Sequence, residues 1–148
     1  MKIVYQGSPG AYSHLAAKKI YPKYEFIPYN TFEDCFKHCN ENEEHKTIIP
    51  VENSIAGRVA DIQYLINKYK LQIYAEHFQE IKHNLMILKN NELKNIKSVR
   101  SHSQAISQCQ KLINSNKFEP IIAADTAGSA KYILSLIHIS EPTRRYAI

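Results

Sequence analysis

The chain has 148 residues, of which 44% are hydrophobic and 22% charged, and its formal net charge is +5. This length allows one domain or two small lobes that fold without disulfide bonds or metals. No apolar run approaches the roughly 20 residues that span a bilayer, and the N-terminus enters a strand pattern without a signal-peptide h-region, so we expect a cytoplasmic protein without a membrane partner.

Charge and cysteine content narrow the choice of partners further. The lysines are scattered along the chain, whereas a nucleic-acid surface needs a clustered basic patch with interleaved aromatic residues. The positive charge therefore indicates a mild preference for small anions, and we expect no nucleic-acid partner. Cys35, Cys39 and Cys109 show no CxxC metal spacing, which fits a reducing compartment. Cys35 and Cys39 would share a helix face with apolar neighbours, which favours packing over metal binding.

Strand and helix patterns alternate from the N-terminus to residue 69, which is typical of parallel strands joined by helices. The run Thr31-Phe32-Glu33-Asp34 matches the [ST]-x-x-[DE] capping pattern, so we expect Thr31 to cap a helix that runs to about Asn40. The other predicted elements are strands at Ile3–Gln6, Tyr24–Pro28 and Lys46–Val51, and helices at Ala11–Ile20 and Val59–Tyr69.

The alternation breaks where two β-like runs, Leu71–Glu80 and His83–Leu88, follow each other without a helix. Such a break is expected at a crossover between lobes, and Glu76–His83 would hold the hinge. The rhythm then resumes with strands at Ile96–Arg100 and Pro120–Ala124, and helices at Ser103–Asn114 and from Thr126. The sequence therefore predicts an α/β fold of two lobes with mainly parallel sheets.

Polar side chains directly follow four of the predicted strands. Each junction would place unpaired N–H groups at a helix N-terminus, where the helix dipole favours anions. One such junction alone is more often a helix cap than a ligand contact. Because the same chemistry recurs, we expect a site for a small polyanionic metabolite such as a dicarboxylate. The junctions are Ser8-Pro9-Gly10, Glu52-Asn53-Ser54, Ser101-His102-Ser103-Gln104 and Asp125-Thr126-Ala127-Gly128-Ser129.

Four blocks of this sequence resemble the catalytic domain of prephenate dehydratases. Residues 5–14, YQGSPGAYSH, resemble the opening GxxGSYSH-type segment of that family, and residues 49–59, IPVENSIAGRV, resemble its ENS block. Residues 101–109, SHSQAISQC, resemble its SHPQAxxQC block, with Ser103 where proline is usual, and residues 124–130, ADTAGSA, resemble the segment before the next helix. Order, spacing and content agree over about residues 2–133.

The resemblance implies a cytoplasmic enzyme of phenylalanine biosynthesis that converts prephenate to phenylpyruvate with loss of carbon dioxide and water. It implies two α/β lobes around a cleft, similar to type 2 periplasmic binding proteins, and no metal or organic cofactor. The lobes would comprise residues 1–76 and 77–133. Family members are usually dimers or tetramers, so a homo-oligomer is expected of the full-length protein.

The resemblance also implies site residues. Asn53, Ser101 and Gln108 would line the cleft and hydrogen-bond the substrate, and second-choice residues are Glu52, Ser54, Gln104 and Thr126. Neutral donors of this kind could hold the two carboxylates of prephenate, while a positioned acid protonates the departing hydroxyl.

The chain departs from the family pattern near its C-terminus. A Thr-Arg-Phe block, which carries a catalytic threonine in the family, would come roughly fifty residues after Asp125-Thr126 and is not present. Residues 134–148 do not resemble the family and look like translated sequencing-adapter read-through, so we expect a non-native tail and an incomplete second lobe. The catalytic residue therefore stays unassigned, and we expect little or no activity from this chain.

Two other functions stay open from the sequence. A non-catalytic small-anion-binding module could use the same two-lobed fold, and the lack of a Thr-Arg-Phe segment in the unbroken reading frame would favour it. An arogenate dehydratase would perform the same chemistry on the aminated substrate.

Overall fold

The computed structural model describes residues 1–89 and 91–135, and the backbone of residues 145–147. The chain divides into two compact units, Met1–Ile81 and Lys82–Ile148. Each unit contains a sheet of parallel strands with helical connections, so the predicted α/β class with mainly parallel sheets is confirmed. The lobe boundary after residue 76 stays a prediction. The expected non-native tail falls largely on residues 136–144 and 148, which lie outside the described residues.

The first unit is a parallel sheet of three strands with the first strand of the chain in the centre, followed by a small hairpin. In chain order its elements are β1 (Lys2–Gln6), α1 (Tyr12–Ile20), β2 (Glu25–Tyr29), α2 (Phe32–Glu41), β3 (Lys46–Ile48), the hairpin strands β4 (Glu52–Asn53) and β5 (Gly57–Arg58), and α3 (Ile62–Tyr69).

The central strand β1 carries the core of this unit. Ile3, Val4 and Tyr5 are all but inaccessible to solvent, as expected for a strand that is covered on both faces. Because side chains alternate along a strand, Val4 faces the opposite way to its two neighbours. Val4 packs with Cys35 and Cys39 of α2, whereas the Tyr5 ring stacks on a side chain of α1. The two helices therefore cover opposite faces of the sheet.

The second unit repeats this arrangement around β6 (Ser98–Ser101), which lies between β7 (Glu119–Ile122) and β8 (Arg145–Ala147) and is parallel to both. Val99 of β6 is fully buried in a core with Ile96, Ile113 and Phe118. The elements in chain order are a 3₁₀ turn (Leu93–Asn95), β6 (Ser98–Ser101), α4 (Ser103–Gln108), α5 (Gln110–Asn116), β7 (Glu119–Ile122), α6 (Thr126–Ser135) and β8 (Arg145–Ala147).

The two β-like runs predicted between residues 71 and 88 are wrong. Leu71–Glu80 contains no strand residue, and in His83–Leu88 only Met86 makes a β-bridge. A strand requires a neighbour that satisfies its backbone hydrogen bonds, and hydrophobic alternation alone does not supply one. Ile73, Tyr74 and Phe78 are accordingly 70%, 81% and 86% exposed.

Three predicted boundaries also need correction. The helix predicted at Ser103–Asn114 is two helices, because the backbone of Cys109 leaves the helical region and its N–H group is shared between several carbonyls of the preceding turn. The third strand ends at Ile48, where its pairing with β1 ends. The third helix begins at Ile62, after Asp61 adopts a left-handed backbone with φ 68°.

Among the described residues, no helix is both long enough and apolar enough to cross a bilayer.

The predicted cap of α2 is confirmed, and it gives a test of the first unit. The Thr31 hydroxyl accepts the N–H of Asp34 at 3.1 Å. Thr31→Ala leaves this helix N–H without its acceptor and should lower the free energy of unfolding by about 1 kcal/mol. Thr31→Ser keeps the hydroxyl and should stay close to wild type. Urea unfolding, monitored by circular dichroism, measures the free energy of unfolding of both variants. Equal losses of stability in the two variants would contradict the capping role.

Candidate functional site

The residues 52–54 form part of a β-hairpin rather than a helix N-terminus. Glu52 and Asn53 pair in antiparallel register with Arg58 and Gly57. The turn between them places Gly57 at φ 81°, which a side chain would disfavour. The expectation of a helix directly after this polar cluster is therefore wrong. The physical reason is that residues 54–56 form a turn. The chain therefore reverses direction and pairs with the preceding strand before α3 begins.

The side chain of Asn53 holds this turn together. Its Oδ1 accepts the backbone N–H groups of Ile55 and Ala56, both at 2.9 Å. Such side-chain-to-backbone bonds are the usual way in which Asn stabilises a tight turn. Asn53 is half-buried, whereas Glu52 and Ser54 are exposed. The amide oxygen thus stabilises the turn, and the NH2 group is the part of the side chain that can donate to a ligand.

The first polar junction, between β1 and α1, is built around His14. The His14 Nδ1 accepts the N–H of Gly10 at 2.9 Å. The imidazole stacks on Tyr5 with a centroid distance of 4.8 Å and meets the edge of Phe26 at 5.5 Å. Burial, and secondarily the nearby positive charge of Lys18, lower the pKa of His14. Both effects disfavour the charged imidazolium in the folded protein.

Ser101 and Gln104 lie at the junction of β6 and α4. Ser101 ends the strand and is fully buried, and its carbonyl accepts the N–H of Ala123 at 2.8 Å. The His102 Nδ1 accepts the N–H of Gln104 at 3.3 Å and so caps the helix. His102 therefore acts here as a cap, while the side chain of Gln104 is exposed.

Gln108, the last residue of α4, contacts a residue that the sequence did not single out. Its Oε1 lies 2.9 Å from Nε2 of His83, in a partly buried position. The two residues are 25 positions apart, so no local spacing rule could connect them. His83 begins the run His83–Leu88, which was expected to be a strand.

Thr126 begins α6, and the residue before it caps that helix. The Asp125 Oδ1 accepts the N–H of Gly128 at 2.5 Å, and the Ser129 hydroxyl donates to the Asp125 carbonyl at 2.8 Å. A Cβ at Gly128 would lie 2.7 Å from Asp125 Oδ2, so this glycine leaves room for the capping carboxylate. Because β6 and β7 are parallel, Ser101, which ends β6, and Thr126, which follows β7, lie toward the same edge of one sheet.

A contact between β6 and α6 was also missed from the sequence. The Arg100 guanidinium lies 4.5 Å from the ring centroid of Tyr132, a distance at which a cation and an aromatic face attract each other. This contact joins the strand that leads to Ser101 with the helix that begins at Thr126.

The cysteines of α2 are packing residues. Cys35 and Cys39 are buried beside Val4, and burial raises the pKa of Cys35 to about 12 and that of Cys39 to about 11. Both are therefore neutral thiols near pH 7. Within the described part of the chain, no group of three or more His, Cys, Asp or Glu side chains is arranged to hold a metal ion.

Two surface depressions of about 620 and 370 Å³ lie in the first unit, and none of the predicted site residues lines either of them. The smaller one is at the carboxyl edge of the sheet, where Gln6 ends β1 and its Nε2 donates to the carbonyl of Asn30 at 3.1 Å. The larger one covers the outer face of α2 between Thr31 and Glu41.

The four sequence blocks lie within a longer stretch that matches a known family. The sequence model of the family described as "Prephenate dehydratase" matches residues 3–144. The chain belongs to the prephenate dehydratase family.

Known members support this assignment. A protein of Komagataeibacter europaeus described as a bifunctional N-acyl-homoserine lactone acylase/prephenate dehydratase is 33% identical over 131 residues, which cover 88% of this chain and 47% of that protein. Arogenate dehydratase/prephenate dehydratase 1, chloroplastic, of Arabidopsis thaliana is 34% identical over 135 residues, covering 91% of this chain and 34% of that protein. The chain thus spans a third to a half of the length of these relatives.

A solved structure shows the same fold. The prephenate dehydratase of Staphylococcus aureus subsp. aureus Mu50 superposes with a TM-score of 0.78, over 99% of this chain and 54% of that one. At 23% sequence identity this likeness is evidence for the fold alone.

The lowered pKa of His14 makes the first unit sensitive to pH. Because the folded state disfavours the imidazolium, unfolded chains bind more protons below the ordinary pKa of about 6.5. The stability that His14 contributes is therefore present above that pH and is lost as the pH falls through the lowered pKa of the folded state. His14→Asn places an amide oxygen close to the position of Nδ1, so it keeps an acceptor for the N–H of Gly10 but does not titrate. Its free energy of unfolding should therefore fall less than that of wild type on acidification. Urea unfolding at a series of pH values measures the difference, and parallel curves would contradict it.

Proposed function

We propose that this chain is part of a prephenate dehydratase, a lyase that converts prephenate to phenylpyruvate in L-phenylalanine biosynthesis. The match of the family to residues 3–144 carries the proposal. In support, the polar blocks of the sequence lie where α/β proteins usually hold ligands, after the carboxyl ends of parallel strands. The proposed enzyme is cytoplasmic, needs no cofactor and forms a homo-oligomer when full-length.

The substrate would be held by neutral donors. Asn53 and Gln108 each carry an amide whose oxygen is engaged within the protein, so their NH2 groups are suited to a carboxylate or hydroxyl oxygen of prephenate. The Ser101 hydroxyl is fully buried, and hydrogen bonds are electrostatically stronger in such a setting than in water. Glu52, Ser54, Gln104 and Thr126 are the second rank of proposed substrate contacts.

The reaction requires little covalent chemistry from the protein. The bond between the ring and its carboxylate breaks to release carbon dioxide, and its electron pair enters the ring. The carbon–oxygen bond to the ring hydroxyl then breaks, and one proton turns the departing hydroxide into water. Because the ring becomes aromatic, orientation and proton delivery are the main tasks of the enzyme. We propose the binding residues above for orientation and assign no residue to proton delivery.

The chain as written should bind prephenate with little or no turnover, because it has no Thr-Arg-Phe segment. Absorbance of phenylpyruvate measures turnover, and isothermal titration calorimetry measures binding. Rapid formation of phenylpyruvate by the purified chain would contradict the expected lack of activity. Absence of prephenate binding would instead count against the proposed function.

Asn53 offers a matched test of the proposed site. Asn53→Asp keeps the side-chain oxygen that accepts the turn N–H groups, but it replaces the donating NH2 group by a second, negatively charged oxygen. We expect the folded state to survive and prephenate affinity to fall at least tenfold, about 1.4 kcal/mol, because a donor is replaced by a repelling charge. Asn53→Ala, which also removes the turn contacts, should lose both stability and affinity. Unchanged affinity in Asn53→Asp would remove this residue from the site.

Arogenate is the alternative substrate, favoured by the similarity to a plant protein whose name gives both activities. The two substrates differ in one group, the keto oxygen of prephenate or the ammonium of arogenate. Side-by-side titration of both compounds distinguishes the two functions. We expect tighter binding of prephenate, and a clear preference for arogenate would replace the first proposal by the second.

A further inference from the structure

The hydrogen bond between His83 and Gln108 fixes the direction of the Gln108 amide. The His83 Nε2 lies 2.9 Å from Gln108 Oε1, and because an amide oxygen can only accept, this contact is a hydrogen bond in the Nε2–H tautomer of the imidazole. The oxygen of Gln108 is thereby directed at the imidazole. Its NH2 group lies on the other side of the amide carbon and is directed away from His83.

Neighbouring core contacts hold both ends of this hydrogen bond. Leu85, two residues after His83, packs against the core of the second unit, and so do Ile106 and Cys109 on either side of Gln108. These partly buried neighbours of His83 and Gln108 limit how far the two polar side chains can move apart.

Orientation matters at this position because the two ends of an amide have opposite polarity. A Gln108 side chain turned by half a rotation would present its oxygen, with a partial negative charge, to an anionic substrate. The same side chain in the observed orientation presents two N–H donors. In a partly buried site the difference is larger than it would be in water.

We propose that His83 is a positioning residue, which holds the Gln108 amide so that its NH2 group donates to an oxygen of the bound substrate. This role rests on the proposed function, since it requires an anionic substrate such as prephenate at Gln108. His83 acts through Gln108 and makes no substrate contact of its own.

The hydrogen bond can be tested without substrate. In protein labelled with ¹⁵N histidine, the His83 imidazole should be the Nε2–H tautomer near neutral pH, and Gln108→Ala should shift its Nε2 resonance. An Nδ1–H tautomer, or an Nε2 resonance that does not shift in Gln108→Ala, would overturn the positioning role.

The effect of this hydrogen bond on substrate binding is tested by measuring the prephenate affinity of two His83 variants. His83→Phe keeps the planar ring and removes the donor, and it should weaken binding about fivefold, which is the scale of one net hydrogen bond. His83→Gln places an amide N–H close to the position of Nε2 and should restore most of the loss. Circular dichroism and thermal unfolding establish that both variants fold.

A double-mutant cycle with Gln108→Ala separates positioning from a general structural effect. If His83 acts through Gln108, then His83→Phe has no further effect on affinity once Gln108 is Ala. A full fivefold loss in that background, or equal losses in His83→Phe and His83→Gln, would overturn the proposal. If wild type does not bind prephenate while the Nε2 signal responds to Gln108→Ala, the contact stands and it is the proposed function that fails.

Discussion

The parallel pairing of a central strand with two neighbours is the constraint on which each unit depends. Parallel strands cannot be joined by a short turn, so each connection must cross the sheet, and here helices make most of the crossings. Those helices cover β1 on both faces, which explains why three consecutive residues of this strand are buried. The same pairing places the carboxyl ends of neighbouring strands at one edge, where the polar blocks of the sequence begin.

Much of this arrangement was predictable, because local patterns of the amino-acid sequence indicate it. The β-like run at Ile3–Gln6 indicated a strand, and the Thr31 capping pattern indicated where α2 begins; the structure has both. The run at Leu71–Glu80 was not predictable in the same way. Its pattern is β-like, but whether a run becomes a strand is decided by a partner elsewhere in the chain.

The candidate site was predictable as a set of residues but not as a set of contacts. Glu52-Asn53-Ser54 was expected to precede a helix, and no local rule indicated that Asn53 would close a hairpin turn instead. The pairing of His83 with Gln108 depends on tertiary structure. His14 could have been suspected from its apolar neighbours along the chain, but its stacking on Tyr5 requires β1 and α1 to be in contact.

The turn at Asn53 has a consequence for how the protein ages. Asn followed by a small residue such as Ser54 is prone to deamidation, in which the next backbone nitrogen attacks the amide carbon and ammonia leaves. The two N–H groups that bind Oδ1 restrain the side chain within the turn, and this restraint opposes the geometry that the attack needs. The folded hairpin therefore protects its own amide, and chemical damage at this position should accumulate mainly in molecules whose hairpin has opened.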